Sequence, residues 1–108
     1  MLDLEIIKQQ CRIEPDDSDE DGLLETYSNA ARRYVENYTD RPLFETPEAA
    51  LISEAEKPLV LDDDITTAML LMIGHWYVNR EAVLVGVSTA TLPLAVEAIL
   101  WPYRRLGV

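Results

Sequence analysis

The side chains best able to do chemistry in this chain are twenty carboxylates, one cysteine and one histidine. The densest cluster is Asp16-Asp17-Ser18-Asp19-Glu20-Asp21. Within it, Asp17, Asp19, Asp21 and Gly22 match the first half of an EF-hand calcium loop, which places acidic oxygens at alternate positions and a glycine at the turn. The match fails at the last ligand, where Ser28 stands in place of a bidentate Glu. The same run also suits the acidic start of a helix, where carboxylates complement the dipole and accept orphan N–H groups. A strong helical pattern from Leu23 onward favours that second reading. Zinc would need several Cys or His, and only Cys11 and His75 are present. His75, between Gly74 and Trp76, reads as a structural histidine. No glycine-rich phosphate loop occurs. Tyr27, Tyr34 and Tyr38 share one stripe and could stack on bases, but they read better as core residues with hydroxyls at the edge. No nucleophile–base pair stands out, so an enzyme is the least supported class and no cofactor is expected.

The elements that must position these residues belong to a chain of 108 residues, enough for one domain with a modest core. Its formal net charge is -11. That argues against sequence-independent nucleic-acid binding, which neutralises phosphates with Lys and Arg, and against docking on anionic lipid. It favours a basic partner or a surface that repels phosphate. A single cysteine and the absence of a signal peptide suggest a reducing, intracellular setting.

The organising stretch is Asp62 to Glu81. Three aspartates open it. Ile65, Met69, Met72 and Trp76 then share one helical face, while Leu70, Ile73 and Tyr77 form a second apolar stripe. Apolar nearly all round, it is expected to be a buried central helix over about 64–79. Its apolar run is far shorter than the roughly 20 residues that span a bilayer. Before it, Leu2–Gln10 reads as a short helix with Asp3 as N-cap and Leu2 and Ile7 at hydrophobic-staple spacing. Leu23, Leu24, Tyr27, Ala30, Ala31, Tyr34, Val35 and Tyr38 mark a clean amphipathic helix, with Glu25, Asn29, Arg32, Arg33 and Glu36 on its polar side. Thr39-Asp40-Arg41-Pro42 ends it. Leu43–Lys57 looks irregular, and Leu59-Val60-Leu61 reads as a short strand or an extended lead. Residues 82–92, uncharged and β-branched, could form an extended arm that contacts a neighbour or a loop that covers the core. A last helix starts near Pro93, carries Val96, Ile99 and Tyr103, and ends or kinks at Pro102. The expected class is all-α: a small bundle of about four helices with long loops.

Taken together these residues resemble the head–tail connector (adaptor) proteins of long-tailed double-stranded DNA bacteriophages. The most specific segment is His75-Trp76-Tyr77-x-Asn79-Arg80-Glu81, followed by Pro93-x-x-Val96-x-x-Ile99-Leu100-x-Pro102-Tyr103-Arg104. Ile6, Cys11, Ile13, the acidic turn and Thr39–Leu43 extend the similarity nearly end to end. The resemblance implies a non-enzymatic virion protein that forms a ring, usually twelve-fold, beneath the portal protein. Such a ring extends the DNA channel and receives the next head-completion or tail protein. DNA would pass through without specific binding, and no membrane would be involved. Assembly would begin in the host cytoplasm and end at the head–tail junction. His75, Trp76, Tyr77, Asn79, Arg80 and Glu81 would form a structural core motif. Val83, Leu84, Val85, Val87, Tyr103, Arg104 and Arg105 are candidate subunit or portal contacts. The competing reading is a small acidic mimic of DNA that inhibits a nucleic-acid enzyme.

Overall fold

The computed structural model describes residues 2–79 and 94–104. Arg80, Glu81, Val83, Leu84, Val85, Val87 and Arg105, and with them the arm expected at 82–92, lie outside the described residues. The rest is all-α, apart from one pair of two-residue strands. In chain order the elements are α1 (Leu4–Cys11), α2 (Asp21–Thr39), β1 (Leu43–Phe44), α3 (Pro47–Ser53), β2 (Leu59–Val60), α4 (Asp63–Val78) and α5 (Leu94–Leu100). A 3-10 turn, Trp101–Tyr103, follows α5.

The central helix forms where its periodicity places it. Asp62 is the N-cap, its Oδ1 accepting from the Ile65 N–H at 3.0 Å, and Asp63 and Asp64 fill the first turn. Ile65, Ala68, Met69, Met72 and Ile73 are buried, and α4 packs on α1, α2 and α5. Leu70, Leu71, Trp76 and Tyr77 are half-covered and pack at the edge of the core. The core adds Ile7 from α1, Leu24, Tyr27, Ala31 and Val35 from α2, and Val96 and Leu100 from α5. At Gly74 the Gln10 side chain of α1 lies against α4, where a Cβ would be 3.2 Å from Gln10 Nε2.

Three local expectations need correction. The Asp16–Asp21 run does not start the helix as a block. It forms turns, closed by Asp17 N–H to Glu14 O and Asp21 N–H to Ser18 O, and only Asp21 enters α2. A buried lysine explains this boundary: Lys8 Nζ lies 3.0 Å from Asp21 Oδ1 and donates to Pro15 O at 3.2 Å, which pins the turn to α1. Asp3 occupies the N-cap of α1 but makes no side-chain cap bond, and the helix runs two residues later at its start than its pattern suggests. Leu43–Lys57 is not irregular. It contains β1 and α3, the latter capped by the Thr46 hydroxyl accepting from Ala49 N–H at 3.1 Å, with Pro47 in the first turn.

Leu59–Val60 is indeed a strand. It pairs in parallel with Leu43–Phe44, and α3 is the crossover. The last helix tightens to a 3-10 turn at Trp101-Pro102-Tyr103, where Pro102 cannot continue the α-helical ladder.

Candidate functional site

Among the described residues, the two ends of α4 gather those that the sequence singles out as core motif or contacts, and they are built differently. At the C-terminal end, Asn79 closes the helix with two bonds to one acceptor. Its backbone N–H and its side-chain amide both donate to His75 O, at 3.1 and 2.9 Å. The His75 ring is half-buried, and its Nε2 has no hydrogen-bond partner among the described residues. Trp76 packs on Tyr27 with ring centroids 5.9 Å apart and a tilt of 53°, a favourable aromatic geometry. Tyr77 reaches across to the acidic turn and donates to Glu20 Oε1 at 3.0 Å. Tyr77 thus links this helix end to the acidic turn, while Arg80 and Glu81 lie outside the described residues.

At the N-terminal end the chain returns from α5. Tyr103 donates to Asp64 Oδ2 at 2.6 Å and lies 3.5 Å from Asp62 Oδ2. The bond to Asp64, with the nearby carboxylate charges, pushes its phenol up to about 12, because the phenolate would lose the hydrogen bond and face two negative groups. Arg104 lies 5.5 Å from the centroids of both Tyr38 and Trp101, in cation–π range. Tyr38 in turn stacks on Tyr34 at 6.0 Å with an interplanar angle of 9°. The tyrosine stripe of α2 thus divides: Tyr27 is core, while Tyr34 and Tyr38 form a half-exposed ladder under Arg104.

Arg41 is the residue that sequence reasoning missed. Its guanidinium donates to three backbone carbonyls: Lys57 O at 3.0 Å, Pro58 O at 2.9 Å and Tyr103 O at 3.2 Å. One side chain therefore joins the exit of α2, the approach to β2 and the turn after α5. The planar fork of arginine suits this role and lysine would not. Nothing local marks it in the sequence, because all three acceptors are backbone atoms distant along the chain. Arg32 and Glu36 form a smaller clamp of the same kind. Arg32 donates to Leu43 O at 3.2 Å and Glu36 accepts from Leu43 N–H at 2.9 Å, which satisfies the second edge of β1. Their i, i+4 spacing was the available signal.

The chemistry open to this arrangement is binding and shape. Among the described residues, no group of three or more His, Cys, Asp or Glu side chains could hold a metal ion. Asp17 instead closes a local turn, its Oδ1 accepting from Asp19 N–H at 3.1 Å. The Cys11 thiol is pushed up by burial and then by the Glu20 charge, which keeps it a poor nucleophile. Among the described residues no helix is long and apolar enough to cross a membrane.

A family model described as phage gp6-like head-tail connector protein matches residues 1–104. No curated protein and no solved structure matches the chain.

Proposed function

We infer the function from one premise: this chain belongs to the phage gp6-like head–tail connector family. It is a structural connector of the phage virion, placed at the junction of head and tail. That family match across residues 1–104 carries the reading. Beyond it, we propose that the chain acts as one connector domain and assembles into a ring, twelve-fold in the virion, beneath the portal protein. The ring extends the DNA channel and presents a docking surface to a head-completion or tail-joining protein. It has no enzymatic activity, and it assembles in the host cytoplasm before it becomes part of the particle.

Two properties support the finer reading. A net charge of -11 gives a ring surface that repels phosphate, so DNA slides past it and is not held. Three of the residues proposed for the core motif have contacts that suit it: Trp76 packs on Tyr27 of α2, Tyr77 bonds to the acidic turn, and Asn79 bonds to the His75 carbonyl. The proposed contact set comprises Tyr103 and Arg104 beside exposed Trp101, together with Val83, Leu84, Val85, Val87 and Arg105.

The test is the mass of the purified protein over a concentration series, by light scattering, with and without purified portal particles. Electron microscopy of the largest species follows. Rings of about a dozen subunits, free or on the portal, are the expected result. A protein that stays monomeric and ignores portal particles overturns the ring reading and favours the acidic DNA mimic.

A further inference from the structure

We propose that Arg41 is the latch of a two-state device: it ties the excursion from residue 40 to 62 to the turn after α5, so that the two segments hold or release their shape together. The proposal goes beyond the connector reading and does not depend on ring formation.

One guanidinium serves both segments. Arg41 donates to Lys57 O at 3.0 Å and Pro58 O at 2.9 Å in the excursion, and to Tyr103 O at 3.2 Å in the turn. A guanidinium is rigid and planar, so its donors cannot adjust independently. Movement of the Lys57 and Pro58 carbonyls therefore re-aims the donor to Tyr103, and movement of Tyr103 re-aims the others. Both segments lean on this tie because little else holds them. The excursion buries only Leu43, Ala50 and Leu59. The turn buries no side chain: Trp101, Pro102 and Arg104 are exposed and Tyr103 is half-buried. Segments with few buried contacts open at low cost.

The backbone opposes the latched form. Among the described residues, four non-glycine residues have positive φ, and three of them lie in the excursion: Asp40 at 56°, Glu54 at 55° and Lys57 at 50°. Asp40 immediately precedes the latch, and Lys57 supplies one of its acceptors. The left-handed conformation crowds the Cβ of any L residue. Aspartate is enriched there and lysine is not. The Lys57 side chain is exposed, so packing does not impose the conformation on it. The bond from Arg41 to its carbonyl does. Strain of this kind persists only where the surroundings over-determine it. When Arg41 lets go, Lys57 relaxes, the Lys57 and Pro58 carbonyls turn to water, and Tyr103 O loses its donor. The Tyr103 hydroxyl keeps its 2.6 Å bond to Asp64, so release loosens the backbone of the turn without detaching it from α4.

Two exposed apolar surfaces ride on these segments. Leu51 and Ile52, 79% and 82% exposed, belong to the excursion, and Trp101, 53% exposed, belongs to the turn. A single latch sets how both are presented, and a bias applied at one end is felt at the other by reciprocity.

The test is hydrogen exchange of the full chain. The excursion is read at the Leu59 and Leu61 amides, which bond to Pro42 O and Phe44 O, and the turn at the Arg104 amide, which bonds to Trp101 O. The amides of Met69 and Met72 in α4 are the reference. Lys57→Val places a β-branched residue in the left-handed region, which it disfavours strongly, at an exposed position outside the turn. Lys57→Gly removes the strain. The valine variant is expected to speed exchange at Leu59, Leu61 and Arg104 together by about fivefold, the low end of coupling between sites. The glycine variant is expected to slow all three. Arg41→Ala is expected to speed all three by more than Lys57→Val does, with Met69 and Met72 unchanged throughout. If Lys57→Val does not fold, Lys57→Gly decides alone: slower exchange at Arg104 supports the device, and an unchanged rate there overturns it. An Arg104 amide that ignores Lys57→Val while Leu59 and Leu61 respond also overturns it, and leaves Arg41 as a tie within the excursion. Acceleration of Met69 and Met72 in step with the others overturns it too, because the chain then opens as a whole.

Discussion

The helical core and the excursion from residue 40 to 62 are held by different forces. In the core, α1, α2, α4 and α5 bury Ile7, Leu24, Val35, Ile65, Met69, Met72, Ile73, Val96 and Leu100 completely. Apolar burial there is non-directional and spread over many contacts. In the excursion only Leu43, Ala50 and Leu59 are buried. Its shape comes from directional bonds to backbone groups. Leu59 N–H donates to Pro42 O at 2.7 Å and Leu61 N–H to Phe44 O at 2.8 Å. The guanidinium of Arg41 closes the loop from the far side. A hydrophobic core tolerates the loss of any one bond. A segment with so little buried area depends on these few directional bonds, and it is also the part that presents Leu51 and Ile52 outward.

The largest effect that would test this contrast is in the core. Met72→Ala is expected to cost about 2–5 kcal/mol, a global loss seen as a lower urea midpoint at every probe. If the change were felt only locally, the core would not be one cooperative unit. Next is Arg41→Ala, expected to cost about 1.5–3 kcal/mol in the excursion, the scale of hydrogen bonds from a charged donor. Hydrogen exchange at Leu59 and Leu61 should speed up well before exchange in α4. Arg41→Lys should not restore protection. Equal acceleration in both regions would break the distinction drawn above.

A smaller effect belongs to the N-terminal end of α4, where the two regions meet. Asp62→Ala removes the cap and should cost about 1 kcal/mol. The neighbouring Tyr103 supplies a pH signature. Its phenol is held at about 12 in the fold against an ordinary value of 10, so the neutral form is favoured by folding. That stabilisation is complete below pH 10 and is lost as pH rises from about 10 toward about 12. Absorbance of the phenolate, followed against pH, should show Tyr103 titrating last, and Asp64→Asn should bring it back toward the ordinary range. The contribution to stability is modest, since the phenol is close to solvent.

The smallest effects compare the same substitution in the two regions. Arg12 closes α1 in the left-handed conformation with φ 59°, and Lys57, in the excursion, has φ 50°. Glycine removes the strain at either site, gaining about 0.5–1 kcal/mol. Arg12→Gly should raise the global melting temperature. Lys57→Gly should slow local exchange in 57–61 and leave the melt unchanged. A shift of the melt by both would mean that the excursion unfolds with the core.

Much of the bundle was legible from residue order alone. The period of Leu23, Leu24, Tyr27, Ala31 and Val35 identified α2, and that of Ile65, Met69, Met72 and Trp76 identified α4. These patterns are readable because a helix satisfies its own backbone bonds and leaves only one face for tertiary contact to decide. The aspartates before α4 marked its start for the same reason: a cap acts within three residues. Thr46-Pro47 carried an equally local signal for α3, overlooked among the acids around it. The similarity of His75-Trp76-Tyr77-x-Asn79 and its downstream partner to connectors was legible too.

What the tertiary structure decided is everything that joins residues far apart along the chain. Lys8 was free to be an exposed lysine until α2 brought Asp21 to it. Arg41 was one polar residue after a helix end until 57, 58 and 103 delivered their carbonyls. Tyr77 and Tyr103 had the same period as core residues, yet each ended on a carboxylate, Glu20 and Asp64. A hydrogen bond depends on position to within a few tenths of an ångström, and sequence order does not encode position across 40 or 60 residues. Local order therefore determined which helices form and where they start. The packed fold alone determined which charged and polar side chains fasten them together, and which apolar ones were left facing out.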